Sequence, residues 1–226
     1  EAHPGAEEDE TAGYYDGVPQ NLLARRLMRE ARFEEALVYI DEDMKLHALG
    51  YMQAMRTASD ASIDAVERAR HYWAAARMMR DHGMALWGSE LAPDHAWMDG
   101  QFEFEDLLEA RRRNLYASDY QLNKPSWGEL QLAESTQTLP DKRFHYRYRA
   151  VQLAQLAAGL LPNNDEQAAR IYTVAGNWIK LRDPATADQL YKLLVVRCGA
   201  TELGQAASQV NWFPVVELES IEPFAN

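Results

Sequence analysis

The chain has 226 residues, of which 47% are hydrophobic and 26% are charged, so most of it has the composition of a globular protein. No apolar run approaches the roughly 20 residues that a membrane helix needs, and the single cysteine excludes an intramolecular disulfide. The formal net charge is −12, and an acidic surface repels phosphate backbones. We therefore expect no membrane span in this chain and no nucleic-acid partner.

Residues 1–18 form an acidic segment without hydrophobic periodicity. They carry six acidic residues and neither Lys nor Arg, and such a segment cannot bury enough apolar surface to fold. We expect a disordered N-terminal tail here. The chain begins at Glu1 rather than Met, which indicates a processed product or a piece of a longer protein. Because this start looks like a tether left after cleavage, we expect an extracytoplasmic, periplasmic location rather than a cytoplasmic one.

Hydrophobic residues at helical spacing predict two helices directly after this tail. The first begins at Pro19 and ends near residue 31, and its apolar stripe consists of Leu22, Leu23, Leu27 and Met28. The second begins at Phe33 and continues, with a kink, through the apolar positions Met44, Leu46, Leu49, Met52 and Met55. Residues 57–62 (TASDAS) end it, because Ser, Thr and Asp compete with the helix for backbone hydrogen bonds.

A long third helix is predicted over residues 63–86, with Asp60 or Ser62 as its N-cap. One face carries Val66, Ala69, Trp73 and Ala76, with Tyr72, Ala75 and Met79 beside it. A stripe this wide indicates burial against two neighbours. Glycine and proline punctuate residues 88–102, which we interpret as an ordered loop.

The remaining helices are predicted over residues 104–115, 126–136, 141–161, 167–181, 183–198 and 201–210. Asp165 caps the helix at 167, and Pro184 stands in the first turn of the next helix, where proline is tolerated. Residues 217–226 are expected to be a loose acidic tail. The prediction is therefore an all-α fold in which residues 19–216 form one array of about eight to ten helices.

Two hairpins resemble the tetratricopeptide repeat (TPR) class. Around residues 31–37 (ARFEEAL), the aromatic Phe33 stands at a helix turn. The small residues Ala24 and Ala36 lie on the helices before and after it. The C-terminal match consists of Val174, Ala175, Trp178, Ala187, Tyr191 and Leu194. Ala175 stands at the usual glycine position, with Gly176 beside it, and Gly199 replaces the usual terminal proline. The resemblance implies an irregular α-α superhelix of stacked hairpins. Residues 82–94 also resemble a segment of uncharacterised bacterial TPR-like proteins, and that resemblance implies no known activity.

Residues 142–149 (KRFHYRYR) alternate basic and aromatic side chains, a pattern typical of surfaces that stack bases or hold an anion. On a helix, however, Phe144 and Tyr148 share one face at i, i+4, so the segment also fits a buried aromatic seam beside a solvated basic face. We favour the seam, because the acidic chain argues against polyanions. Of the two binding roles, base stacking and anion binding, we retain the second, as a concave site for an anion or a peptide carboxylate.

The loop after the third helix offers an alternative metal site. Imidazole and carboxylate groups could hold a divalent ion with an open position for water, and the candidate ligands are His82, Glu90, Asp94 and His95, with Asp99 nearby. Their spacing fits no established metal motif. We therefore favour helix capping and loop attachment as the role of these residues.

Cys198 is expected to be a buried structural cysteine at a helix end. A catalytic thiol needs a stabilised thiolate and a neighbouring histidine, and no histidine follows His145 in the sequence. Free cysteine is also among the most frequently buried residue types.

These observations favour a non-catalytic module that binds a protein or peptide in a groove between stacked helices. No Gly-rich phosphate loop, nucleophile elbow or Cys/His cluster is present, so we expect neither an enzyme nor a cofactor. The expected contact residues are Arg143, Arg147 and Arg149 for an anion, with Trp87 and Trp97 as aromatic anchors. Two alternatives stay open: a metal or small-molecule site on residues 82–99, and a structural spacer within a larger bacterial envelope-associated protein.

Overall fold

The structure is a computed structural model that describes residues 18–89, 127–128 and 144–224. These residues form eight α-helices and one short 3-10 helix, and they contain no β-strand, which confirms the predicted all-α class. The helices are α1 (Val18–Arg29), α2 (Phe33–Ala36), α3 (Glu42–Ser59), α4 (Ala65–Leu86), α5 (Tyr146–Leu160), α6 (Glu166–Ile179), α7 (Pro184–Cys198) and α8 (Glu202–Val210), and the 3-10 helix is Leu218–Ile221. The helices predicted over 104–115 and 126–136 lie outside the described residues, apart from helical residues 127 and 128. Residues 1–17 of the predicted N-terminal tail also lie outside the described residues, and Val18 begins α1.

Most helices pack on their neighbour in the chain. α3 packs on α4, α5 on α6, α6 on α7 and α7 on α8, while α1 packs on α2 and α4. α4 also packs extensively on α5, although residues 90–143 separate them in sequence. Small residues allow these close approaches: the alanines of the helix contacts are fully buried, and a Cβ at Gly83 on α4 would overlap the ring of Tyr146 on α5. No helix of the described residues is long and apolar enough to cross a membrane.

Side-chain oxygens cap the N-termini of four helices. Asp165, Asp183 and Thr201 accept hydrogen bonds from backbone N–H groups in the first turns of α6, α7 and α8. The predicted cap of α6 is thus confirmed, whereas the predicted cap of α4 is wrong. Asp64 caps α4 instead, and Asp60 accepts from the backbone and hydroxyl of Ser62 in the preceding turn.

Two helix boundaries differ from the predictions. The kinked helix expected from Phe33 onwards is two helices, because Asp41 takes an extended conformation (ψ 145°) and starts α3 afresh. The helix expected over 141–161 begins only at Tyr146. His145 is extended there, its side chain accepts from the backbone N–H of Arg147, and its backbone forms an antiparallel bridge with Ser89.

The segment after α8 lies on the helices. Glu222 accepts hydrogen bonds from the indole of Trp73 at 3.0 Å and from the guanidinium of Arg77 at 2.5 Å, both on α4. The backbone N–H of Phe224 donates to the side chain of Gln167 on α6 at 2.6 Å. The sequence predicts a loose tail from residue 217, but residues 218–224 are attached here, because the Glu222 carboxylate finds two donors on one helix face.

Candidate binding cleft

A cleft of about 650 Å³ opens between α1, α2, α3, the end of α4 and the start of α5. This volume falls within the range of about 300–1,000 Å³ that is usual for ligand pockets. The lining is mainly aromatic rings, methionines and arginines: Phe33, Tyr51, Trp87 and Phe144; Met28, Met52, Met55 and Met79; and Arg29, Arg56 and Arg149. Ala31, Glu34, Ser59 and Asp60 complete it.

Three aromatic rings in edge-to-face contact form one wall of the cleft. The ring of Tyr51 on α3 lies 5.9 Å from that of Phe33 and 4.6 Å from that of Trp87, measured between centroids. Trp87 is the C-cap residue of α4, and only 2% of its surface is exposed. Gly88 follows it with φ +67°, a left-handed conformation that turns the chain away after the helix. The wall is therefore fixed by packing and by the way α4 ends.

Arginines of α1 attach that helix to the end of α4. Arg29 donates from Nε to the carbonyl of Trp87 at 2.6 Å, and Arg25 donates to the carbonyl of Ala85 at 3.0 Å. These carbonyls belong to the last turn of α4, where cations are stabilising. The guanidinium of Arg29 also lies 4.4 Å from the ring centroid of Phe144. Arg29 thereby joins three parts of the lining.

Arg149 on α5 reaches the aromatic wall from the opposite side. It is exposed, it donates to the side-chain oxygen of Gln152 at 3.2 Å, and it hydrogen-bonds the Tyr51 hydroxyl. Burial raises the pKa of the Tyr51 phenol, and the positive charge of Arg149 opposes that rise. Because the net shift is upward from an ordinary pKa of 10.0, the phenol is neutral at physiological pH and presents a hydroxyl.

Two predicted contact residues meet in this cleft, and a third does not reach it. Trp87 and Arg149 both line it, although they are far apart in the chain. Arg149 is exposed there, whereas Trp87 is 2% exposed and belongs to the packed wall. Arg147 is only 6% exposed and donates to the carbonyl of Trp178 at 3.0 Å, between α5 and α6. Its guanidinium is thus used inside the fold, and a partner cannot contact it. Arg143 and Trp97 lie outside the described residues.

The alternative metal site is described only at His82. Its ring stacks on that of His47, with 3.6 Å between centroids, and joins α3 to α4. Glu90, Asp94 and His95 lie outside the described residues. Across residues 18–89 and 144–224, no group of three or more His, Cys, Asp or Glu side chains is arranged to hold a metal ion.

For several lining residues the sequence analysis predicts no role in binding. Met52 and Met55 are predicted only as apolar positions of a helix, and they are partly buried at the cleft. No role is predicted for Arg56. The signal was nevertheless present, because the three share one helix face at i, i+3 and i+4. An arginine within an apolar stripe indicates a surface that water reaches. Tyr51 carried no such signal.

Cys198 is fully buried at the end of α7, as expected, and burial raises the pKa of its thiol. A raised pKa disfavours the thiolate that a nucleophile requires. The described geometry therefore gives this residue a packing role.

No protein-family model, curated protein or solved structure matches this chain. The resemblance to TPR proteins accordingly stays a prediction from the residues that carry it.

Proposed function

We propose that this chain is a non-catalytic protein- or peptide-binding module, built as an irregular TPR-like array, and that a segment of its partner lies in the cleft between α1, α3 and α5. One observation carries the proposal. Trp87 and Arg149, the aromatic and cationic residues expected at the binding site, line the same cleft, Trp87 as part of its buried wall and Arg149 as an exposed donor. The two side chains line one cleft because α4 packs on α5.

The lining has the chemistry of a recognition surface. Aromatic residues, methionine and arginine are the types enriched where proteins bind one another. Met52 and Met55 are partly buried on α3, and their unbranched side chains can adapt to an apolar group. The fixed aromatic wall behind them limits what has to be ordered on binding.

The test is a selection of peptides from a random library displayed on phage, with the purified chain immobilised. Wild type is compared with a double variant, Met52→Ala and Met55→Ala, which removes apolar surface from the cleft. The matched control is Leu46→Ala with Leu49→Ala. These leucines are exposed on the same helix and are not part of the cleft lining.

Wild type and the leucine control should enrich the same peptides, and the methionine variant should lose them. Circular dichroism of all three proteins shows that each is folded. Peptides retained by the methionine variant would place binding elsewhere, and a failure of wild type to enrich any peptide would contradict the peptide-binding function.

A further inference from the structure

We infer that the cleft selects segments in which a carboxylate lies beside an apolar side chain, an inference that rests on the proposed binding function. The occupant is a peptide segment of a partner protein. Its carboxylate is bound by Arg56 and Arg149, and its apolar side chain lies against Met52 and Met55.

Arg56 and Arg149 each have N–H donors that are not used in hydrogen bonds within the described residues. Within the described residues Arg56 makes no hydrogen bond or ion pair, and Arg149 contacts only neutral groups, the Tyr51 hydroxyl and the Gln152 amide oxygen. A guanidinium carries five N–H donors and matches a carboxylate with two parallel bonds. Both groups can therefore pair with an incoming carboxylate without first breaking an ion pair within the described part of the chain.

The acidic residues of the lining leave this positive charge in place. The carboxylate of Asp60 accepts from the backbone N–H of Ser62 at 2.9 Å and from its hydroxyl at 2.7 Å. These hydrogen bonds lower the pKa of Asp60 and engage its Oδ1 within its own turn. Glu34 is exposed at the start of α2. Three arginines thus face two carboxylates in a chain whose net charge is −12.

Charge complementarity therefore favours an acidic segment over a neutral one. The surrounding apolar lining adds to this preference, because a charged hydrogen bond is stronger where water is partly excluded. The carboxylate could belong to a Glu or Asp side chain or to the C-terminus of a peptide, since both present the same two oxygens. Peptides with amide side chains or with an amidated C-terminus separate these two sources.

The decisive comparison uses the same displayed library with a charge-reversed cleft, Arg56→Glu with Arg149→Glu. The matched control is Lys45→Glu with Lys192→Glu, which changes the net charge equally on α3 and α7, away from the cleft lining. Wild type and the lysine control should enrich acidic peptides with an apolar residue, whereas the charge-reversed variant should enrich basic ones.

The most enriched peptide is then synthesised with a fluorophore, with its acidic residues either kept or replaced by their amides, and with either a free or an amidated C-terminus. We expect amide replacement to weaken binding to wild type about tenfold or more in fluorescence anisotropy, as for loss of a charged hydrogen bond. A loss on amidating the C-terminus would assign the carboxylate to the chain end, and a loss on replacing the side chains would assign it to Glu or Asp.

Peptides that bind wild type through Met52 and Met55 but show no acidic enrichment would overturn this inference and leave the proposed function standing. Absence of any enriched peptide would contradict both. Circular dichroism of the charge-reversed variant, together with its selection of basic peptides, shows that lost acidic binding is not caused by unfolding.

Discussion

The ring of Phe213 lies against the backbone of Gly176 on α6, in the space that a Cβ at position 176 would occupy. Phe213 is only 6% exposed, and it reaches this place because Asn211 ends α8 in a left-handed conformation (φ 52°). The segment after α8 is thus held to α6 by a contact that needs glycine.

Replacing Gly176 with alanine should destabilise the fold by about 1–3 kcal/mol, because the ring has to move from a packed position. The matched substitution is Gly159→Ala on α5, where a Cβ would meet nothing within 4 Å. That change should stabilise the chain by about 0.5–1 kcal/mol, since alanine favours a helix over glycine. Urea unfolding followed by circular dichroism measures both, and equal effects would contradict the packing described.

Arg197 of α7 is expected to be needed for the junction with α5. Its guanidinium donates to the carbonyls of Ala158 and Leu161 at the end of α5 and to the hydroxyl of Tyr172 at 2.8 Å. A lysine cannot span these acceptors, so Arg197→Lys should cost about 1–3 kcal/mol in the free energy of unfolding. Arg70→Lys, at an exposed position on α4, is the control. If the two substitutions cost the same, the guanidinium contacts are not stabilising.

Attachment of the C-terminal segment should depend on Glu222. Its carboxylate accepts from Trp73, whose ring stacks on Trp178 with 5.1 Å between centroids. Glu222→Ala should change tryptophan fluorescence and cost about 1 kcal/mol or less, since both members of the pair with Arg77 are partly exposed. Glu217→Ala, at an exposed position, should change neither measurement. Unchanged fluorescence in the Glu222 variant would contradict the attachment.

The cap at Asp183 should make stability depend on acid pH. Hydrogen bonds from the backbone N–H and then the hydroxyl of Thr186 lower the pKa of this carboxyl in the folded chain. A lowered folded pKa contributes stability above the unfolded value of about 3.9, and that contribution is lost as pH falls through the folded pKa.

At pH 7, Asp183→Ala should therefore cost about 0.5–2 kcal/mol. Urea unfolding at several pH values should show the difference from wild type shrinking below about pH 4. Asp188→Ala, on the exposed face of the same helix, supplies the control. A difference that grows as the pH falls would contradict a lowered pKa of Asp183 in the folded chain.

Local chemistry made much of the C-terminal part predictable. Asp165 caps α6, Pro184 stands in the first turn of α7, and α7 ends at Cys198, because caps and proline act within one turn of the chain. Exposure was harder to predict. Leu46 belongs to an apolar stripe and yet is 78% exposed, since periodicity shows which residues share a face and not whether a neighbour covers it.

The cleft could be predicted only in fragments. Trp87 and Arg149 were recognised by residue type, but the wall between them depends on Tyr51, which lies far from both in the chain. The stack of Trp73 on Trp178 joins equally distant positions. Such contacts follow from the pairing of whole helices, for which one sequence holds no direct signal.

The bridge between Ser89 and His145 brings together the two points where the chain leaves α4 and returns to α5. Two chain ends already paired by backbone hydrogen bonds can be joined by a short connection at little cost in loop-closure entropy. The described residues thus hold side by side the two points between which residues 90–143 run.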